Sequence, residues 1–218
     1  LTSSLFAGPQ KKTASMEAAS QHTEERLFSG QISVAKSRLY IFVDKTGFGH
    51  QHAVEGLFNS GHLHLDTTKD AGAFVFNMNS FNADTDAARR YLGSEVSTDS
   101  GTRKQVNANI KNASDLNVRQ FPTATFSIDS ATPMGRTKNN GIPVYELSGE
   151  FTLRGMKRPI RFSAEVDQKN GMTHIRGHFN ILETQYRMTP FSKAFGAVGV
   201  TDQPTIHGEL WVALEKTI

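Results

Sequence analysis

Apolar and polar residues alternate along most of this chain with the period of a β-strand. The pattern is cleanest over residues 145–166. Tyr145, Leu147, Gly149, Phe151 and Leu153 fall on one face, and Glu146, Ser148, Glu150 and Thr152 on the other. After Gly155, Ile160, Phe162, Ala164 and Val166 alternate with Arg161, Ser163 and Glu165. Successive strand side chains point to opposite sides, so the stretch predicts a hairpin with one oily and one wet face. Further strands are predicted where the pattern recurs. Leu39 to Val43 is a continuous apolar run, and Val54, Gly56 and Phe58 alternate with Glu55. Gly61 opens a separate segment in which Leu63 and Leu65 oppose His62, His64 and Asp66. Phe74, Phe76 and Met78 share a face, as do Ala124, Phe126 and Ile128. Ile175, Gly177, Phe179 and Ile181 follow, then Ile206, Gly208, Leu210, Val212 and Leu214. Turn signals at Asn139-Asn140-Gly141, Asn170-Gly171 and Asp202-Gln203-Pro204 separate these runs.

The middle of the chain breaks the pattern. From Ala83 to about Leu116 helical spacing replaces alternation, with Val106 and Ile110 four apart on one face. Asp84 or Thr85 is placed to cap a short helix running through Tyr91 and ending at Gly93. Residues 1–34 show weak periodicity and many Ser, Thr, Ala, Lys and Glu. They read as a flexible leader or processed N-terminal segment, with a short helix around Met16 to Leu27, ahead of an ordered domain at 35–218. This leader is also a candidate for a homodimer contact. Many short antiparallel strands with a consistent apolar face predict a sandwich or a barrel, and periodicity alone does not choose between them.

Composition narrows the chemistry. The 218 residues suit one all-β domain with a tail. Fifteen Phe against one Trp and four Tyr supply apolar surface without polar handles, which suits a core or an oily cavity. A net charge of +3, with the cations interspersed among carboxylates, calls for no nucleic-acid partner. The absence of cysteine excludes disulfides, thiolate nucleophiles and Cys-based metal sites. No apolar run has the length of a membrane-spanning helix. There is no nucleophile elbow, P-loop or dinucleotide fingerprint, and no cofactor is called for.

Several segments carry a family likeness. Ser37 to Val43 with Gly56 and Phe58, Asn117 to Ile128 (NVRQFPTATFSI), Leu147 to Phe162 (LSGEFTLRGMKRPIRF), and Phe179 with the polar stretch after it and Gly196 together resemble the YceI-like family over roughly residues 35–215. That resemblance implies an extended, lipocalin-like antiparallel barrel of eight strands with one or two short helices. It also implies a non-enzymatic protein of the periplasm or the secreted fraction that carries or sequesters a polyisoprenoid, a quinone or another long amphiphilic lipid. The opening LTSSLFAG is compatible with the end of a signal peptide. The long leader and the Gly49-His50-Gln51-His52 run depart from the commonest family pattern.

On this reading the ligand-binding candidates are the inward apolar residues Phe74, Phe76, Met78, Phe126, Ile128, Leu147, Phe151, Phe162, Phe179 and Ile181. Burying a prenyl or acyl tail among them yields about 0.8 kcal/mol per CH₂, and ordinary core packing is the competing role of each. Gly149, Gly177 and Gly208 on the same faces are expected to leave room inside. The poorly periodic, Gly-punctuated segment 186–200 is expected to cover one barrel end, with Arg187, Phe191 and Phe195 near a ligand. His50 and His52 share the parity of Val54 and Phe58 and are expected to point inward to a head group, while His62 and His64 point out. Paired histidines with Glu55 or Asp66 open the alternative of a metal-binding barrel. A lipid or ester hydrolase is the enzymatic alternative, although Glu146/Glu150 and Asp84/Asp86 are more simply solvent-facing or capping carboxylates.

Overall fold

A computed structural model describes residues 27–94, 98–138 and 140–214. Eight strands close into an antiparallel barrel: β1 (Arg38–Val43), β3 (His52–Leu63), β4 (Gly72–Ala83), β5 (Thr123–Thr137), β6 (Pro143–Leu153), β7 (Met156–Lys169), β8 (Met172–Asn180) and β11 (Thr205–Ala213). Their order around the barrel is β1-β11-β8-β7-β6-β5-β4-β3. Three short strands, β2 (Lys45–Gly47), β9 (Ser192–Lys193) and β10 (Val198–Val200), form a separate sheet in the order β2-β10-β9.

Local chemistry sets the turns and helices. The β6–β7 and β7–β8 hairpins each turn on two residues, Arg154-Gly155 and Asn170-Gly171, all with positive φ. Such two-residue turns match the twist of the flanking strands, and glycine adopts the left-handed second position without steric cost. Helix α1 (Asp86–Leu92) starts at Thr85, whose hydroxyl accepts the Ala88 amide, and stops at Gly93 in the left-handed region. Helix α2 (Ser100–Lys111) is capped by Asp99, whose carboxylate accepts the amides of Gly101 and Thr102. Val106 and Ile110 of α2 pack onto the barrel core, as their spacing predicts.

Two expectations change. Residues 54–66 do not divide at Gly61, because β3 runs unbroken from His52 to Leu63. A register shift against β4 between Phe58 and Ser60 resets the alternation, so Phe58 and Leu63 are both buried although five apart. A Cβ on Gly61 would come within 3 Å of Phe74 and Ile32 side chains, so this glycine serves close packing rather than a strand boundary. The ordered barrel also begins before Ala35. Gln31 pairs with His62 and Ile32 with Val212, and the Ile32 side chain is 1% exposed inside the barrel. A helix around Met16 to Leu27 lies almost wholly outside the described residues.

The barrel is filled unevenly. At one end Ile32, Leu63, Ile128, Leu147, Val166, Ile175, Leu210 and Val212 are buried in one continuous core. Midway, Phe58, Phe74, Phe76, Phe151, Phe126, Phe162 and Phe179 touch ring to ring at centroid separations of 5.1–6.3 Å. Beyond that aromatic belt the interior is hollow.

Candidate functional site

The hollow end is a cavity of about 250 Å³. Its wall is made by strand ends: Leu39, Ile41 and Val43 of β1, Val54 of β3, Phe76, Met78 and Phe81 of β4, Ala124 of β5, Phe151 and Leu153 of β6, and Ile206 of β11. Phe81 joins this face because the β4 alternation shifts after Met78; residues 74, 76, 78, 81 and 83 are all buried. Helix α2 roofs one side with Thr102, Gln105, Val106, Asn109 and Ile110. The small sheet roofs another with Lys193, Val198, Gly199 and Val200.

The predicted ligand residues divide into three groups. Phe76, Met78, Phe151, Ile181, Phe191, His50 and His52 all line the cavity. Phe74, Phe126, Ile128 and Leu147 lie in the packed core, off the cavity wall. Phe162 and Phe179 are half-buried and line a shallow cleft on the barrel flank with Pro159, Ile160 and His178. That cleft exists because β7 and β8 pair only between Ala164–Lys169 and Met172–Gly177, leaving residues 156–163 of β7 bonded to β6 alone. Pro159, which has no amide proton to donate, sits on this unpaired stretch. Arg187 is exposed and holds a left-handed turn; its carbonyl accepts a hydrogen bond from Arg154. Phe195 is fully exposed at a loop tip beyond the small sheet, as Phe48 largely is.

The inward glycines behave differently from one another. A Cβ on Gly149 would lie 2.0 Å from the Ser127 carbonyl oxygen, and one on Gly177 2.8 Å from the Phe162 ring. Their space is already taken by neighbours. Only Gly208 faces open room, with nothing within 4 Å.

Among the polar candidates, His52 Nδ1 lies 3.0 Å from Asp84 Oδ2. Burial would raise the Asp84 carboxyl, but hydrogen bonds from His52, the Ala53 amide and the Thr98 hydroxyl hold it below the usual carboxylate range. The pair ties the start of β3 to the end of β4. His50 is exposed at the rim. His62 and His64 lie outside the barrel with ring centroids 5.9 Å apart. Among the described residues no group of three or more His, Asp and Glu side chains is arranged to hold a metal ion. Glu146 and Glu150 make outward ion pairs with Arg161 and Lys157.

Sequence reasoning missed Asp115 and Glu183, the two carboxyls on the cavity wall. Glu183 begins a 3₁₀ turn (Glu183–Tyr186) after β8 and is 8% exposed. Burial first, then the nearby Asp115 and Asp202 charges, push its carboxyl up to about 8. Burial likewise pushes half-buried Asp115 up to about 7, against the opposing pull of Arg154. Neither residue belongs to a motif, and both lie in irregular segments where alternation says nothing about direction. Tyr186, 1% exposed, packs edge-on to Phe151 with its hydroxyl unpartnered.

A YceI-like domain model matches residues 30–210. No curated protein matches the chain. Among solved structures the fold is similar to that of Burkholderia cenocepacia BcnA, at 17% identity and a TM-score of 0.57, covering 83% of this chain and 98% of that one. It is also similar to a polyisoprenoid binding domain from Saccharophagus degradans implicated in plant cell wall breakdown. The values there are 11% identity, a TM-score of 0.55, and 85% and 98% coverage.

Proposed function

The chain belongs to the YceI-like family, and from that premise we propose that it binds the apolar tail of a long-chain isoprenoid or similar amphiphile in its barrel, as a carrier or sequestering protein that performs no turnover. The observation that carries this reading is the cavity beyond the phenylalanine belt. It is walled by aliphatic and aromatic side chains, with polar groups gathered at the roof and at Asp115 and Glu183. Apolar cavity walls gain free energy by taking up hydrocarbon, about 0.8 kcal/mol per buried CH₂, so a prenyl segment binds there without directional contacts. The polyisoprenoid-binding description of one structural relative points the same way. The polyprenyl tail of a quinone is one such segment. The family setting favours a periplasmic or secreted location, which fractionation of cells expressing the full-length protein tests.

Native mass spectrometry of the purified protein, followed by organic extraction and mass analysis, tests the ligand. A near-stoichiometric prenyl or acyl species supports the reading. A protein that purifies empty and takes up no added isoprenoid overturns it.

A further inference from the structure

Neither of the cavity's two carboxyls receives a side-chain hydrogen bond from the described residues, and only Asp115 feels an opposite charge, that of Arg154. Glu183 is buried, lines the apolar cavity, and makes no side-chain hydrogen bond among the described residues. Of the charged groups near it, Arg158 donates to the Gln185 carbonyl and Arg187 is exposed. Asp202 accepts from the amide and hydroxyl of Thr184, at 2.9 and 2.6 Å. Arg154, whose charge acts on Asp115, donates its hydrogen bonds to the carbonyls of Ala113, Ser114 and Arg187. Lys193 is exposed at the roof over the Phe191 ring, and His50 is exposed at the rim. A carboxyl set in an apolar wall without a partner is costly, and a ligand group that completes it is one physical reason to keep it there.

Resting on the lipid-carrier reading above, we propose that Glu183, assisted by Asp115, anchors the polar head of the cavity's amphiphile, and that this head is a hydrogen-bond donor, an amine or an alcohol, and not an anion. A hydroxyl donates to a carboxyl oxygen directly. An ammonium donates and also supplies the positive charge that lets the carboxyl ionise. A diphosphate or carboxylate head would give up its hydration at an apolar wall that turns acids, and no committed cation, toward it. The burial that holds Glu183 protonated near neutral pH adds a signature. An ammonium entering opposite it drives the Glu183 proton out to the buffer, whereas an alcohol releases none.

Calorimetry with three ligands sharing one tail, farnesylamine, farnesol and farnesyl diphosphate, tests this, each titrated in two buffers of different ionisation enthalpy. The expected order is amine, then alcohol, then diphosphate, with roughly tenfold between the first and last. Proton release is expected for the amine alone. Glu183→Gln keeps the shape and removes the charge. It is expected to abolish the proton release and cost the amine roughly tenfold in affinity, while farnesol changes little. Asp115→Asn is expected to act in the same direction more weakly. Equal binding of all three heads, or tightest binding of the diphosphate with loss in Lys193→Ala and none in Glu183→Gln, overturns the anchor and leaves the carrier reading standing. Binding of none of the three overturns both.

Discussion

The two ends of this barrel are built from the same strands and the same alternating pattern, yet one is solid and the other hollow. At the solid end β7 and β8 are fully paired, and Ile32 from the N-terminal segment enters as a plug between β3 and β11. At the hollow end β7 and β8 part company beyond Ala164 and Gly177, and a helix and a small sheet form the roof in place of an inserted side chain. Alternation decides which residues face inward. Whether inward residues meet each other depends on what closes the end, and that differs here.

Truncations separate the two ends most sharply. Phe126→Ala, in the packed belt, is expected to cost about 3–5 kcal/mol in denaturant unfolding. Leu153→Ala, on the cavity wall, is expected to fall near 2 kcal/mol, because its side chain already borders empty space. Equal costs would mean the hollow end is packed in solution.

The next effect is pH-dependent and confined to the hollow end. Glu183 has a folded-state pKa near 8 against an ordinary 4.5. Between these values the folded state holds a proton the unfolded state has lost, so stability is full below the lower value and falls as pH rises through the upper one. The loss is expected to be a few kcal/mol at most, since each tenfold difference in proton affinity between the two states is worth about 1.4 kcal/mol. Asp115 contributes in the same direction over a lower window. Urea unfolding across this range is expected to show the decline in the wild type and a shallower one in Glu183→Gln. Identical slopes would place the Glu183 carboxyl in solvent.

Glycine substitutions sharpen the comparison further. Gly149→Ala sets a Cβ against the Ser127 carbonyl and is expected to cost at least about 1–3 kcal/mol. Gly208→Ala has open room and is expected to stay within about 0.5 kcal/mol. The smallest effect on stability, and a large one on ligand content, is expected from Ala124→Leu, which extends into the cavity. The purified variant is expected to fold normally and to carry less extractable lipid. The same enlargement at Ala131, buried in the core, is expected to destabilise by about 1–3 kcal/mol.

Much of this was legible in the residues. The 145–166 hairpin, the Thr85 cap, the Gly93 stop and the Val106/Ile110 face all follow from nearest-neighbour chemistry, and each stands in the structure as its spacing predicts. The candidate site was legible only in part. Phe76, Met78, Phe151 and Ile181 reach the cavity, while Phe74, Phe126, Ile128 and Leu147, on the same inward parity, do not. Parity reports a side and carries no depth along the barrel axis. Arg187 and Phe195 sit in an aperiodic segment, where a left-handed turn points one outward and a loop tip exposes the other.

By itself the sequence determined the all-β pattern, the inward and outward faces, the turns and the family. These depend on neighbours within a few residues, and the period of two expresses them directly. Only the tertiary structure decided where the interior is empty, that β7 and β8 separate, that Phe81 turns inward after a register shift, and that Asp115 and Glu183 come together on one wall. Those outcomes depend on register between strands distant in sequence and on which segment closes each end, and local periodicity encodes neither.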